Sequence, residues 1–350
     1  MTGLTSKNIA ELQELMAELG EPKFRAKQVF AWLSKGARPE EMTNLSKALR
    51  EKLSSLHFGG ARIYDKRISA KDGTIKYLFE LEDGNLVEGV LMRYKYGNTL
   101  CVSTQVGCRM GCAFCASTLN GCARDLEAGE ILSFVACAER DVPCDEGRKR
   151  SVTNIVLMGS GEPLDNYENV VRFLRLVSDP DGMNISPRNI SLSTCGLVPQ
   201  LRRFMKEAPH VTLSVSLHAP NDAIRGTIMP VNAAYPMAEL LAAAREYAEE
   251  TGRRVIFEYA LIKNKNSERK HAEELASRLR RMNCHVNLIP LNHVEERNLM
   301  GVTRKDAEQF MGWLTDLGIS ATIRREMGSD IEGACGQLRR RVLEQQEGNA

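Results

Sequence analysis

From Cys101 to about residue 323 the chain repeats one pattern, a short strand-like run followed by an amphipathic helical stretch. The runs are "CVSTQV", "TNIVLM", "RNISLS", "VTLSVSL", "RVIFEYALI" and "HVNLIPL", with "ISATIR" a short last candidate. "EAGEILSFVACAER", "MAELLAAAREYAEE" and "DAEQFMGWLTDLG" have the helical spacing. Continuously apolar strands that alternate with amphipathic helices indicate a parallel sheet covered by helices. About six repeats suit an α/β fold built as an incomplete (βα) barrel. A flat doubly wound sheet has the same periodicity and is the alternative.

Upstream the rhythm differs. Residues 1–57 read as helices: "NIAELQELMAEL", then "FRAKQVFAWLSKG" stopping at Gly36, then "TNLSKALREKL" with Thr43 or Asn44 as its cap. Residues 58–98 carry two Asp-Gly hairpin turns, "KDG" at 71–73 and "EDGN" at 82–85, between strand-like runs. The expected organisation is a helical accessory domain over 1–57, a β-hairpin extension over 58–98 and a barrel over 99–350. No apolar run approaches the roughly 20 residues that span a bilayer, and the N-terminus lacks the pattern of a signal peptide. A cytoplasmic location is expected, where clustered cysteines read as metal-binding or catalytic. The formal net charge of +2 neither demands nor excludes nucleic acid. Basic clusters such as Arg148–Arg150 and Arg339–Arg341 could together make a phosphate-binding face, although any one of them reads as solvated surface.

In such a barrel the working residues gather at the C-terminal ends of the strands. There the chain offers a cysteine loop after "CVSTQV", "GSGEP" (159–163) after "TNIVLM", "TCG" after "RNISLS", "HAP" after "VTLSVSL" and Asn292 after "HVNLIPL". Cys108, Cys112 and Cys115 are spaced C-x3-C-x2-C. Structural zinc sites and iron–sulfur clusters normally take four protein ligands. Three close cysteines therefore suggest a cluster with one iron left open for a small molecule. The alternatives are a zinc site completed by Cys101, Cys122 or a distant histidine, or unliganded thiols.

C-x3-C-x2-C after the first barrel strand resembles the radical S-adenosylmethionine (SAM) superfamily. "CVSTQVGC", "GSGEPLDN", "SLHAPND.IR", "NLIPLN" and "GACGQLR", taken in order, resemble the RlmN family of adenosine C2 methyltransferases acting on 23S rRNA and tRNA, with Cfr as the C8-methylating relative. The resemblance covers nearly the whole chain, including the N-terminal helices as an RNA-binding accessory domain.

It implies one [4Fe-4S] cluster per chain on Cys108, Cys112 and Cys115, and two SAM molecules consumed per methylation. The open iron of that cluster binds SAM and cleaves it to a 5′-deoxyadenosyl radical. Gly161, Glu162, Ser193, Ser216, Leu217, His218 and Asn292 match SAM-contacting positions. Cys335 matches the cysteine that is first methylated and then carries the carbon to adenine. Cys101 matches the thiol that resolves the adduct through a transient disulfide with Cys335, and Glu88 matches the proton acceptor. Without the resemblance, Glu88 would read as a surface strand residue and Cys335 as a small buried thiol. Pro163 is what the C2 enzymes carry where the C8 relative has Ala. A flavodoxin-type reductant and a monomeric chain are also expected. Cys122 reads as packing, and Cys137, Cys144, Cys195 and Cys284 as structural or exposed thiols.

Overall fold

The structure is a computed structural model that describes residues 2–144, 146–291 and 299–331. Helices α1 (Ile9–Glu18), α2 (Arg25–Leu33) and α3 (Lys47–Ser54) make the N-terminal unit. Asn8 and Glu11 close a reciprocal capping box on α1. Helix α3 starts later than the sequence suggested. Its cap is Ser46, whose Oγ accepts from Leu49 N at 3.2 Å. Asn44 is engaged elsewhere, its Oδ1 accepting from Trp32 Nε1 at 2.6 Å.

Strands β1 (Ala61–Ile68), β2 (Ile75–Leu81) and β3 (Leu86–Tyr94) form an antiparallel meander with its Asp-Gly turns where the sequence placed them. β3 then pairs antiparallel with β4 (Gly97–Val102). From β4 the sheet runs parallel through β7 (Asn154–Leu157), β8 (Ile190–Thr194), β9 (Thr212–Ser216), β10 (Val255–Leu261), β11 (Cys284–Pro290) and β12 (Ala321–Ile323). The meander and the parallel strands are one ten-stranded sheet, with β1 at one end and β12 at the other. "ISATIR" thus does supply a last strand.

"CVSTQV" is not one strand. β5 (Gln105–Gly107) leaves the main sheet and pairs with β6 (Cys122–Asp125). The break has a tertiary cause: Thr104 N and Gln105 N both donate to Ser160 O, at 2.8 and 3.2 Å.

Helices α4 (Ala128–Asp141), α5 (Tyr167–Ser178), α6 (Val198–Glu207), α8 (Met237–Thr251), α9 (Arg269–Leu279) and α10 (Arg304–Asp316) follow the strands, and a short α7 (Asp222–Gly226) follows β9. Leu157, Leu192, Val215, Phe257 and Leu288 point into the main apolar core. The opposite face of the strands mixes polar residues with a few apolar ones such as Val156 and Ile256. Ser191, Ser214, Glu258 and Asn287 line an open cavity, where a closed (βα)8 barrel would pack layers of branched side chains. The strand runs are therefore not apolar on both faces.

The N-terminal unit is no loose appendage. Leu12, Met16, Phe30 and Leu49 belong to the same continuous core as Phe134 of α4. Glu127 accepts from Gly3 N at 2.8 Å and Ser6 Oγ at 3.2 Å, and Arg172 of α5 pairs with Glu11 at 2.8 Å. Among the described residues no helix is long and apolar enough to cross a membrane.

Candidate functional site

A cleft opens between β3, β4 and the cysteine loop, lined by Glu88, Cys101, Ser103, Gln105, Ser117 and Gly159. Two of the three residues expected to be catalytic share it. The third, Cys335, lies outside the described residues, as does Asn292. Cys101 is buried, paired with Val90 of β3 and Val156 of β7, and packed near Met92, Met158 and Met327.

Glu88 is not the surface residue that its strand context alone suggests. It is buried, and its Oε2 lies 3.3 Å from Nζ of Lys76, a lysine with no exposed side-chain surface. No sequence signal marked Lys76. In "TIKYLFEL" it alternates with apolar residues and reads as the solvent side of a hairpin, whereas here both faces of β2 are covered. Removing one partner of a buried ion pair costs about 3–5 kcal/mol, because the other charge stays buried. Lys76→Met is expected to lower unfolding stability by that amount. Lys76→Met combined with Glu88→Leu should regain most of it, as urea unfolding of the single and double variants will measure.

The cysteine loop is tightly strapped. Cys108 N donates to Gly121 O at 2.8 Å, Ala113 N to Ile228 O at 2.8 Å, and Thr118 Oγ1 to Cys115 O at 2.9 Å. Gly107 has φ +87°, and a Cβ there would meet Gly121 O at 2.1 Å, so no other residue fits without moving the loop. Burial pushes the thiols of Cys108 and Cys112 up to about 12, with Cys115 and Glu162 adding to the effect. Thiols so reluctant to ionise become ligands only opposite metal charge that displaces the proton. Among the described residues no three His, Cys, Asp or Glu side chains form a group that could hold a single metal ion. Three mutually interacting thiols on one loop suit a polynuclear cluster whose ligand corners stand apart.

The glycine-rich strand end is stitched to the segment beneath it. Ser160 N donates to Ser103 Oγ at 2.8 Å and Glu162 N to Gln105 Oε1 at 2.9 Å. Gly161 has φ +106°, and a Cβ would lie 2.7 Å from Gln105 Cβ. The Glu162 carboxylate accepts from Leu164 N at 2.9 Å and Cys195 N at 2.7 Å. Burial draws its pKa upward against these backbone donors and the side chains of Thr194 and Cys195.

Ser193 and Ser216 come together at the ends of β8 and β9, their hydroxyls 3.4 Å apart. Leu217 is different: its side chain lies in the main core and its N donates to Glu258 O at 3.1 Å. His218 has φ +55° and is buried. Its Nδ1 accepts from Ala260 N at 2.9 Å, which assigns the ring proton to Nε2. Burial, with Arg225 nearby, draws its pKa down to about 3, so the ring stays neutral at physiological pH. Phe114 stands edge-on to it at 4.8 Å, joining the cysteine loop to the end of β9.

Arg225 closes the "SLHAPND.IR" motif, in which nothing in the sequence marks it as buried. It is fully buried, and its guanidinium donates to Leu217 O at 3.2 Å, Asn232 Oδ1 at 3.0 Å, Cys195 O at 2.6 Å and Ser216 O at 3.3 Å. One side chain thus ties the end of β9 to the turn after β8. Cys195 is structural in this sense, packing beside Cys112 under the loop. Cys122 does more than pack, since its Sγ accepts from Arg109 Nη2 at 3.8 Å. Cys137 donates to Ala61 O at 3.5 Å, Cys144 is exposed, and Cys284 is half-buried.

Known proteins share both the fold and these motifs. Residues 102–276 match the Radical SAM superfamily, and residues 2–58 match the ribosomal RNA large subunit methyltransferase N-terminal domain. A radical SAM methyltransferase from Sphaerobacter thermophilus, solved by crystallography, superposes with a TM-score of 0.90 at 44% identity, over 96% of this chain and 99% of that one. A "Probable dual-specificity RNA methyltransferase RlmN" from Clostridium novyi is 49% identical over 98% of this chain and 99% of its own length. A protein of the same description from Clostridium perfringens is 51% identical over 98% of each. Identity at this level over the accessory helices, the hairpin strands and the open barrel alike means that the chain belongs to the RlmN family of radical SAM proteins.

Proposed function

We propose that the chain methylates C2 of an adenosine in 23S rRNA and in tRNA, and that the new carbon travels on its own Cys335. The observation that carries this reading is the shared cleft. A buried carboxylate, Glu88, and a buried thiol, Cys101, face one space bounded by the cysteine loop and the glycine-rich strand end. When bound, the cluster supplies the electron that cleaves SAM to a carbon radical. The chain's residues do the rest. Cys108, Cys112 and Cys115 hold the cluster, while Gly161, Glu162, Ser193, Ser216, Leu217, His218 and Asn292 seat SAM. Glu88 takes the proton from the ring carbon. Cys101 attacks, as the thiolate, the Cys335 sulfur; the disulfide forms as the carbon–sulfur bond breaks, its electron pair stays with carbon, and a proton from solvent completes the methyl group. Pro163 favours C2 over C8. We extend the reading to a flavodoxin-type electron donor, a monomeric chain and a cytoplasmic location.

Nucleoside mass spectrometry of RNA treated with the reconstituted, reduced protein tests the assignment. 2-Methyladenosine is the expected product; 8-methyladenosine would assign the chemistry of the relative instead, and neither would sink the proposal. Residues 1–57 are proposed to bind RNA, residues 58–98 to extend the sheet, and residues 99–350 to carry the chemistry. Because the helices share the barrel's core, deleting them would confound binding with folding, and charge reversal is the cleaner probe. Lys23→Glu and Lys35→Glu, both at exposed positions, are each expected to lower the slope of log affinity against log salt by about 1. Unchanged slopes would remove these helices from the RNA interface.

A further inference from the structure

Lys76 stands closer to the chemistry than a lysine on a hairpin strand ordinarily does. In the sheet register it pairs with Val90, and Val90 pairs with Cys101. The three residues form one row across β2, β3 and β4, and directly paired residues point to the same face. Glu88 is two residues from Val90 on β3, so it shares that face. Tyr77 and Phe79 point the other way: Tyr77 Oη donates to Asp141 at 2.9 Å, and Phe79 stacks on Phe134 at 4.6 Å, both partners on α4. The Lys76 side chain thus lies on the side of the sheet that carries Glu88 and Cys101, with its Nζ 3.3 Å from Glu88 Oε2.

Both charges are buried. A buried carboxylate left to itself tends to take up a proton, because burial disfavours its charged form. A carboxyl that already holds a proton accepts none from a ring carbon. Packing does not call for the pair, since apolar side chains of similar volume often hold such a place as well or better. Among the described residues that line the cleft, the titratable side chains are Glu88 and Cys101, and Lys76 brings a positive charge to them from the neighbouring strand.

We propose that Lys76 is a positioning residue for methyl transfer: its ammonium holds Glu88 as a carboxylate at the cleft wall, ready to accept the ring proton. This rests on the reading of Glu88 as proton acceptor. Lys76 touches neither RNA nor SAM on this account and acts through Glu88.

The test uses full-length, cluster-loaded Lys76→Met protein with reductant, SAM and labelled RNA. The variant is expected to accumulate the covalent RNA adduct at neutral pH, and a jump to alkaline pH should chase that adduct into methylated RNA. Its product should appear at a pH about 1–3 units above that of wild type, the effect of one opposite charge at this range. Hydroxide does not repair a misplaced strand, so the chase separates lost charge from lost structure. Lys76→Arg keeps a cation and should keep the wild-type pH dependence, whatever its rate. Lys76→Gln replaces Lys76→Met if the latter takes up no cluster. A wild-type pH profile in the uncharged variant, or an adduct that alkaline pH leaves in place, would overturn the proposal. Infrared spectroscopy of RNA-free protein keeps the two readings apart. The Glu88 band, assigned by its loss in Glu88→Gln, should be that of a carboxylate in wild type and of a protonated carboxyl in Lys76→Met at the same neutral pH. A carboxylate band in both would overturn the role of Lys76. If Glu88→Ala turns over without adduct, the acceptor assignment fails, and the spectrum alone decides whether Lys76 sets the charge of Glu88.

Discussion

Cys112→Ala protein is expected to lose most of its iron and all SAM cleavage, while Cys122→Ala protein keeps both. The three loop thiols provide every protein bond to the cluster on the proposed ligation, so none is spare. Losing even an outer-shell partner costs roughly 10–100-fold in metal affinity, and a lost ligand should cost more. Cys112 is the member of the trio that packs, buried, with Cys195 and Met229. A cavity there leaves the apolar floor intact and removes only the donor. Cys122 is the informative comparison, because it lies within electrostatic reach of Cys108 and would complete a zinc site if there were one. Iron, zinc and acid-labile sulfide are measured on anaerobically reconstituted protein. Full iron content in Cys112→Ala would overturn the ligation. Zinc in place of iron, lost in Cys122→Ala, would restore the four-ligand alternative.

Local signals were legible in the sequence, and pairings between distant segments were not. Five of the six strand runs, the two Asp-Gly turns and the cysteine loop each depend on residues close together in the chain, and are found where the pattern placed them. The fate of "CVSTQV" was hidden, because the break after Val102 depends on Ser160 O, more than fifty residues away. That the hairpin strands continue the barrel sheet was hidden for the same reason: β3–β4 pairing leaves no trace in periodicity. Thr43, Asn44 and Ser46 are all acceptable caps by type. Only the tertiary bond from Trp32 to Asn44 removes one of them from competition.

The site follows the same division. Glu88 and Cys101 were nameable only through family resemblance, since a lone glutamate on a strand and a lone cysteine carry no local signature. Lys76 and Arg225 were missed because buried cations look like surface cations in a sequence. For His218 the structure adds a function that resemblance did not suggest. Its ring accepts from Ala260 N and braces Phe114, so it supports the loop whatever else it touches.

Cys101 and Cys335 should fail at different points, and that difference is the most direct test of the proposed chemistry. Cys335→Ala protein still assembles the cluster and binds SAM, but it has no sulfur to accept the first methyl group, and no carbon reaches RNA. Cys101→Ala protein proceeds further. Its Cys335 is methylated, activated and added to adenine, and then no thiolate is left to attack the thioether sulfur. The product is protein joined to RNA through a methylene bridge. The cavity left at position 101 is small. Cys101 packs among Val90, Met92 and Val156 at the edge of the cleft, and Cys to Ala removes a single sulfur, so the strand pairing with β3 and β7 should survive. Glu88→Ala is expected to stall at the same adduct, because the ring proton has no acceptor. A denaturing gel with labelled RNA reads all three variants together. A retarded, nuclease-sensitive band is expected for Cys101→Ala and Glu88→Ala and should be absent for Cys335→Ala. If Cys101→Ala instead turned over at the wild-type rate without adduct, the carbon would not pass through a protein thioether in this chain, and the cluster assignment would have to stand on the iron measurement alone.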